Sequence, residues 1–142
     1  MIVLDTNILS ELLRPTPAPQ VLAWLDELGH TAGFVSSVTQ AEMLLGVALL
    51  PAGKRREALE VNIGALFNRQ FSGRCLPFDT QAAPYFARIV ASRRKAGRPI
   101  SAEDAQIAAI SCSRGYHLAT RNEADFAGIS GLIVVNPWKH VI

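Results

Sequence analysis

The 142-residue chain has few of the residues that hold disulfides or structural metals. It contains two cysteines, Cys75 and Cys112, and three histidines, His30, His117 and His140. The cysteines lack the paired spacing of a zinc site, and two of them do not make a disulfide framework. We therefore expect both cysteines to be reduced and partly buried, as in a cytoplasmic protein, and we assign the scattered histidines no catalytic role.

The chain also lacks long apolar runs and a strong excess of charge of either sign. None of its hydrophobic stretches approaches the roughly 20 residues needed to cross a bilayer, and its N-terminus has no basic segment of the kind that opens a signal peptide. Its 14 lysines and arginines exceed its 12 aspartates and glutamates by only two. We therefore expect no membrane association, and the overall charge does not by itself indicate nucleic-acid binding.

What the chain does have is a regular alternation of short apolar strands and helical stretches. We predict strands at 2–4, 34–35, 76–78, 116–120 and 132–135, and helices at 8–13, 20–28, 38–49, 54–71, from 79 or 80 to 95, and from 101 or 102 to 114. This alternation predicts an α/β fold with a central, mainly parallel sheet of about five short strands flanked by helices. With 49% hydrophobic residues, we expect a single domain over residues 1–142.

The first predicted strand, Ile2-Val3-Leu4, is followed at once by Asp5 and a helical stretch. Open α/β sheets bind ligands at the carboxyl ends of their strands, so Asp5 is a candidate site residue. Aspartate is also a good helix N-cap, and from this stretch alone capping and ligand binding are equally open.

Three further acids stand at unusual positions. Glu42 shares a helix face with apolar residues, Asp104 lies in the first turn of an alanine-rich helix, and Asp125 follows the strand that ends near Thr120. Each has an ordinary explanation: the edge of an apolar stripe for Glu42, a helix-dipole partner for Asp104, and a turn former for Asp125. In a parallel sheet, however, all of these positions converge on one edge.

Carboxylates brought together without a cation repel one another and raise each other's pKa values. A divalent cation removes that penalty, and ligands that offer only oxygen suit Mg²⁺ or Mn²⁺ rather than zinc. The sequence therefore predicts a site at which a metal-activated water hydrolyses a phosphodiester.

Four motifs, in this order, carry a resemblance to a known family. They are Asp5-Thr6-Asn7, Glu42 within Thr39-Gln40-Ala41-Glu42, Asp104 followed by Ile107-Ala108-Ala109, and Thr120-Arg121-Asn122 with Asp125-Phe126. The chain resembles the PIN-domain ribonucleases, and within them the VapC and FitB toxins of type II toxin–antitoxin pairs. The resemblance covers essentially the whole chain.

The resemblance implies roles for individual residues. Asp5 and Asp104 would be the principal metal ligands, with Glu42 completing the metal site directly or through water, and Asp125 would be the fourth catalytic acid. The side chains that would orient these acids are Thr6, Asn7 and Thr120, together with Asn122, which stands where some relatives carry an acid. The resemblance further implies metal-dependent RNA cleavage, a homodimer, and an antitoxin partner of the VapB or FitA type that occludes the site.

An acidic pocket repels RNA, so basic residues must surround it. The candidates for phosphate contact are Arg14, Arg93, Arg94, Lys95, Arg98 and Arg121. For residues 93–95 a solvated helix C-terminus explains the charges equally well. Trp24 and Trp138 are expected in the core rather than in base stacking.

Three other functions compete with this interpretation. A haloacid-dehalogenase-like phosphotransferase needs a second Asp at the position of Asn7, and a response-regulator receiver needs an Asp after a middle strand, whereas residues 27–78 contain none. A PIN-like module that binds RNA or protein without cutting stays open as the alternative.

Overall fold

A sheet of five parallel strands divides the protein into two layers. In the computed structural model, which describes residues 1–142, the strands are β1 (Ile2–Leu4), β2 (Gly33–Ser36), β3 (Cys75–Leu76), β4 (His117–Ala119) and β5 (Val134–Val135). Their order across the sheet is β3-β2-β1-β4-β5, and every neighbouring pair is parallel. The predicted α/β fold with a parallel sheet is confirmed.

Six helices cover the two faces of this sheet. They are α1 (Thr6–Leu12), α2 (Pro19–Leu28), α3 (Ser37–Ala48), α4 (Lys54–Ala65), α5 (Ala83–Lys95) and α6 (Ala102–Arg114). Three begin at side-chain caps that the sequence supplies, namely Asp5, Ser36 and Ser101. Helix α6 ends at Gly115, whose φ of 69° lies in the left-handed region that glycine adopts without strain.

The central strand β1 supplies side chains to a hydrophobic core on each side of the sheet. Ile2 and Leu4 point into the core beneath α1 to α4, and Val3 points into the core beneath α5 and α6. This alternation follows from the two-residue period of a strand. Because both faces are covered, all three residues are apolar and at most 4% exposed.

Several predicted boundaries differ from the observed ones. The helix predicted over 54–71 is α-helical only to Ala65, and Leu66–Gln70 continues as a π-helix. The strand predicted at 76–78 stops before Pro77, which has no N–H to donate. The next helix begins only at Ala83, because Asp79 Oδ1 accepts hydrogen bonds from the backbone N–H groups of Gln81 and Ala82 and holds a turn there. The last strand is shorter than predicted, since the Leu132 N–H donates to the Ile129 carbonyl in a turn.

None of the six helices combines the length and the apolar character needed to cross a membrane. Cys75 and Cys112 are free thiols, each partly buried, as expected. Burial raises the pKa of both thiols, so they are less reactive than an exposed cysteine.

Candidate active site

The carboxyl ends of β1, β2 and β4 bring Asp5, the helix that carries Glu42, and Thr120 to one edge of the sheet, and the start of α6 adds Asp104. The backbone N–H of Asp5 donates to the Ala119 carbonyl at 2.9 Å, and that of Thr120 donates to the Val135 carbonyl at 2.9 Å. Asp5 and Thr120, which are far apart in the sequence, are therefore neighbours. Helices α1 and α3 begin directly after β1 and β2 at the same edge.

Asp5 is buried, with 5% of its surface exposed, and all of its protein partners are donors. Its Oδ1 accepts a hydrogen bond from the Thr6 N–H at 2.8 Å, which caps α1. Its Oδ2 accepts from the Thr120 hydroxyl at 2.7 Å and from the Asn7 amide at 3.3 Å. Asp5 therefore caps the helix as predicted and also lines the cleft described next, while its part in ligand binding stays a prediction.

Next to Asp5 lies an open cleft of about 460 Å³. It is lined by Asp5, Thr6, Asn7, Ser10, Glu11, Arg14, Glu42, Asp104, Arg121, Asn122 and Trp138. Three of the four predicted catalytic acids thus share one cleft, and Trp138 is the only hydrophobic residue that lines it.

The three acids of the cleft carry charge that the protein does not neutralise. Burial raises the pKa of Asp5, Glu42 and Asp104 above their ordinary values. After burial, the negative charge of Asp5 is the next largest cause for the other two. No Lys, Arg or His nitrogen lies within 4.0 Å of these carboxylates. The cleft therefore favours the binding of a cation.

Asp125, the fourth predicted acid, does not line the cleft. It lies exposed on the 3₁₀ turn Glu123–Phe126, yet its negative charge raises the pKa of both Asp5 and Asp104. Its direct part in catalysis stays a prediction.

The four predicted orienting residues form a hydrogen-bonded network around Asp5. The Thr120 hydroxyl oxygen accepts from the Asn7 amide at 3.2 Å and from the Asn122 N–H at 3.1 Å. The Thr6 hydroxyl lies 3.0 Å from that of Thr39 and donates to Glu42 Oε1 at 3.4 Å. The network links three separate chain segments and holds the carboxylates of Asp5 and Glu42 in place.

The predicted basic residues separate into two groups. Arg14 and Arg121 line the cleft, whereas Arg94, Lys95 and Arg98 are exposed elsewhere. Arg93 is different, because it is 8% exposed and its Nη2 donates to the carbonyls of Asp125 and Ala127 at 2.7 and 2.8 Å. The structure therefore does not place Arg93 where RNA would reach it, since its guanidinium is used to hold the turn that carries Asp125.

Three residues of the cleft, Ser10, Glu11 and Trp138, were not predicted from the sequence as site residues. Glu11 lies on the face of α1 that also carries Asn7, and this four-residue spacing was the available signal. Trp138 was expected in the core, and it does pack on the core while one part of it lines the cleft.

The donor set of the cleft fits a hard divalent cation. Asp5, Glu42 and Asp104 offer only oxygen, and no basic side chain pairs with their carboxylates. No three His, Cys, Asp or Glu side chains converge closely enough to form a metal site by themselves. The arrangement therefore suits an ion that retains waters and completes its coordination with substrate oxygens, as Mg²⁺ does.

The fold and the acidic cleft are those expected of a PIN domain, and comparison with known protein families gives the same class. The model of the PIN domain matches residues 2–132, and the chain belongs to that family. The resemblance seen in the sequence motifs is thereby confirmed.

Relatives of similar length carry more specific names. The chain is 38% identical to the VapC ribonuclease Y4jK of Sinorhizobium fredii, with 98% of this chain and 99% of that protein covered. It is 41% identical to the toxin FitB of Neisseria gonorrhoeae, with coverage of 97% and 99%. Among solved structures, that of FitAB bound to an IR36 DNA fragment superposes with a TM-score of 0.89 at 41% identity, covering 100% of this chain and 98% of the matched chain.

Proposed function

We propose that this protein is a metal-dependent ribonuclease and the toxin of a type II toxin–antitoxin pair, and that it acts in the cytoplasm. The observation that carries this proposal is the cleft in which Asp5, Glu42 and Asp104 lie without a basic partner. The names of the relatives, a VapC ribonuclease and the toxin FitB, support the substrate and the biological role.

In this proposal Asp5, Asp104 and Glu42 hold Mg²⁺ or Mn²⁺. Such an ion, when bound, supplies a Lewis acid that activates water and offsets charge on the phosphodiester. The network of Thr6, Asn7 and Thr120 keeps the Asp5 carboxylate in one orientation.

Glu42 is the acid best placed to take a proton from the attacking water. It is the exposed member of the three, and its Oε1 is held at 3.4 Å by the Thr6 hydroxyl.

The proposed partners are an antitoxin of the FitA or VapB type and a second copy of the chain. The solved relative is a FitAB complex on DNA, which supports an antitoxin partner. Helix α3, the residue that follows it and α4 expose four apolar side chains, Leu44, Leu45, Leu49 and Val61, which are 49 to 76% accessible. These side chains are candidates for either contact. Light scattering of Leu45→Asp and Leu49→Asp, with and without antitoxin, would show which assembly they support.

The test of the function is cleavage of labelled RNAs, including tRNAs, by antitoxin-free protein. We expect cutting with Mg²⁺ or Mn²⁺, none in EDTA, recovery when the metal is restored, and none with Asp5→Asn. The matched control is Asp26→Asn, because Asp26 is an exposed acid of α2 that does not line the cleft.

Two results would change the conclusion. Cutting that survives Asp5→Asn would show that the activity belongs to a contaminant or to another site. A well-folded protein that binds RNA and cuts no substrate in the panel would indicate the catalytically silent binding module instead.

A further inference from the structure

Glu11 is a buried carboxylate in the cleft wall that the proposed chemistry does not use. Its side chain is 4% exposed, although the outer part of the cleft passes beside it. It accepts hydrogen bonds from Arg14 Nη1 at 3.1 and 3.0 Å and from the Ala18 N–H at 2.9 Å. Burial alone would raise the pKa of Glu11, but these hydrogen bonds and the charges of Arg14 and Arg121 lower it. Glu11 is therefore ionised, and its charge is satisfied within the protein.

Arg14 is fixed at one nitrogen and free at the others. Both of its side-chain hydrogen bonds come from Nη1, and the side chain is 62% exposed at the cleft. A guanidinium has five N–H donors in a planar fork, so Nη2 and Nε retain donors for a ligand. Arg14 thus has a defined position and unused hydrogen-bonding capacity, which are the two properties that an anion site needs.

A second guanidinium lies at the same end of the cleft. The Arg121 side chain stacks over Trp138, with its Cζ 5.0 Å from the ring centre, and the Arg121 backbone N–H donates to Asn7 Oδ1 at 3.3 Å. Trp138 is in turn held by a hydrogen bond from its backbone N–H to Asn136 Oδ1 at 3.0 Å. With two arginines around Glu11, this end of the cleft has a net positive charge, opposite in sign to the end at Asp5.

The two ends are separated along α1. Asp5 precedes the first residue of the helix and Glu11 lies six residues later, which at about 1.5 Å per residue is about 9 Å along the axis. A phosphate at Arg14 and Arg121 is therefore a neighbour of the phosphate being cut, rather than the same group.

We propose that Glu11 is a positioning residue that holds Arg14, beside Arg121, as a binding site for a non-scissile phosphate of a single RNA strand. This inference rests on the proposed ribonuclease function and adds how its substrate is held. The source of the anion is the RNA backbone, so free inorganic phosphate at millimolar concentration is expected to compete only weakly.

The variant Glu11→Gln distinguishes two roles of Glu11, namely the positioning of Arg14 and the contribution of a negative charge to the cleft. The variant can keep an oxygen toward the Ala18 N–H, but its amide nitrogen then faces Arg14 Nη1 at the 3.1 Å now occupied by a carboxylate oxygen. Two donors face each other there, and Arg14 keeps only the 3.0 Å hydrogen bond to the remaining oxygen, which no longer carries a charge. If charge alone mattered, removal of a negative group from the cleft would tighten RNA binding. If Glu11 positions Arg14, the same change weakens it.

The experiment is single-turnover cleavage of a labelled single-stranded RNA with Mg²⁺, at KCl concentrations from 50 to 200 mM, the range over which phosphate contacts change affinity strongly. It yields a half-saturating protein concentration and a maximal rate. For Arg14→Ala we expect the half-saturating concentration to rise about tenfold at the lowest salt, with the maximal rate little changed. The logarithm of the half-saturating concentration, plotted against the logarithm of the salt concentration, should have a slope lower by about 0.7. This is the value of one phosphate contact on a single strand.

Glu11→Gln should change both quantities in the same direction as Arg14→Ala, by a smaller amount. In the Arg14→Ala background, Glu11→Gln should have no further effect, because the residue through which it acts is gone. The matched control is the exposed Arg56–Glu60 pair of α4, which has similar geometry at 3.1 Å and does not line the cleft. Arg56→Ala and Glu60→Gln should leave both quantities unchanged.

Each outcome decides a separate point. This inference is overturned if Glu11→Gln binds RNA more tightly than wild type. It is also overturned if Arg14→Ala leaves the salt dependence of RNA binding unchanged. Neither result contradicts the proposed ribonuclease function. Inorganic phosphate and an uncleavable RNA are also compared as inhibitors of cleavage at equal concentrations. Equal inhibition by the two would overturn the assignment of the RNA backbone as the anion that binds Arg14 and Arg121. A wild-type protein that neither cuts nor binds RNA overturns the proposed function and this inference together.

Discussion

Glu42→Gln should stabilise the metal-free protein and weaken its response to metal. Glutamine has the same shape and a similar helix propensity, and its oxygen still accepts the hydrogen bond from Thr6. Only the charge is removed. Burial and the neighbouring charge of Asp5 raise the pKa of Glu42 above its ordinary value of 4.5. The folded state therefore binds this proton more tightly than the unfolded state does.

The sign of the pH dependence follows from proton linkage. Where the folded state holds more protons, the free energy of unfolding falls as pH rises. For Glu42 that fall begins near its unfolded pKa of 4.5 and is complete above the raised folded value. At pH 7.5 the metal-free Glu42→Gln protein should thus melt at a higher temperature than wild type. The difference should disappear as pH is lowered below 4.5.

The metal-induced change in Tm can be calculated from the chain length. Unfolding entropy of about 2.1 cal/mol/K per residue gives about 0.3 kcal/mol/K for 142 residues. Metal at about 100 times its Kd stabilises wild type by about 2.7 kcal/mol, which is about 9 °C in Tm. Loss of a carboxylate that acts directly or through water weakens metal affinity about 10- to 100-fold. The same metal concentration should then shift the variant by only about 1 to 5 °C.

The assay is thermal unfolding by circular dichroism at pH 4, 5.5 and 7.5, with EDTA or with Mg²⁺ or Mn²⁺. Glu60→Gln is the control, because Glu60 is an exposed helix glutamate outside the cleft and should not alter the metal-induced shift. A metal-free Glu42→Gln protein that melts below wild type at neutral pH would contradict the destabilising effect of the Glu42 charge. An equal metal-induced shift in both proteins would remove Glu42 from the metal site.

Three further predictions concern the supports of the cleft. Thr120→Val removes the 2.7 Å hydrogen bond to Asp5 and should lower the free energy of unfolding by about 1–3 kcal/mol in urea titrations, with recovery in Thr120→Ser. Arg93→Met should cost about 1.5–3 kcal/mol because the carbonyls of Asp125 and Ala127 lose a charged donor, whereas Arg94→Met, at an exposed position, should cost little in the same titration. Ser101→Ala should destabilise α6 by about 1 kcal/mol through loss of its N-cap, measurable as a lower urea midpoint at unchanged slope.

The edge of the sheet that carries the site was predictable because local sequence and topology agree there. Asp5 directly follows the apolar run of β1, and Thr120 directly follows β4. Because β1 and β4 pair in parallel, the residues that follow them lie side by side. The hydrogen bond between Thr120 and Asp5 is the result of that topology.

Glu11 was missed because its burial depends on a contact that periodicity does not describe. The proline-containing segment after α1 folds back so that the Ala18 N–H reaches the Glu11 carboxylate, and Arg14 closes over the other side. Without this return of the chain, a glutamate on the polar face of a short helix would be solvated. Burial of such a group is decided by loop conformation, which neither helix propensity nor hydrophobic spacing fixes.

The basic run at the end of α5 shows the limit of composition as a guide to function. Successive residues of a helix point in directions about 100° apart, so three adjacent cations cannot all face the solvent of one cleft. Arg93 faces inward to the turn that carries Asp125, while Arg94 and Lys95 are exposed. The sequence located the charge correctly, but the direction of each side chain depends on how α5 packs against α6 and that turn.

The Asp5 carboxylate is buried in a cleft that disfavours its charge, and hydrogen bonds from neighbouring groups oppose this effect. Burial and the charge of Asp125 raise its pKa, while the hydrogen bonds from Thr120 and the Thr6 N–H oppose that rise. The Thr6 bond is also the cap of α1, so the same carboxylate stabilises the helix and lines the cleft in which we propose the metal site. Asparagine is as good an N-cap as aspartate. Asp5→Asn should therefore retain α1 while removing the charge that binds the cation. Loss of cleavage in a variant with normal helical content would assign the defect to the site and not to the fold.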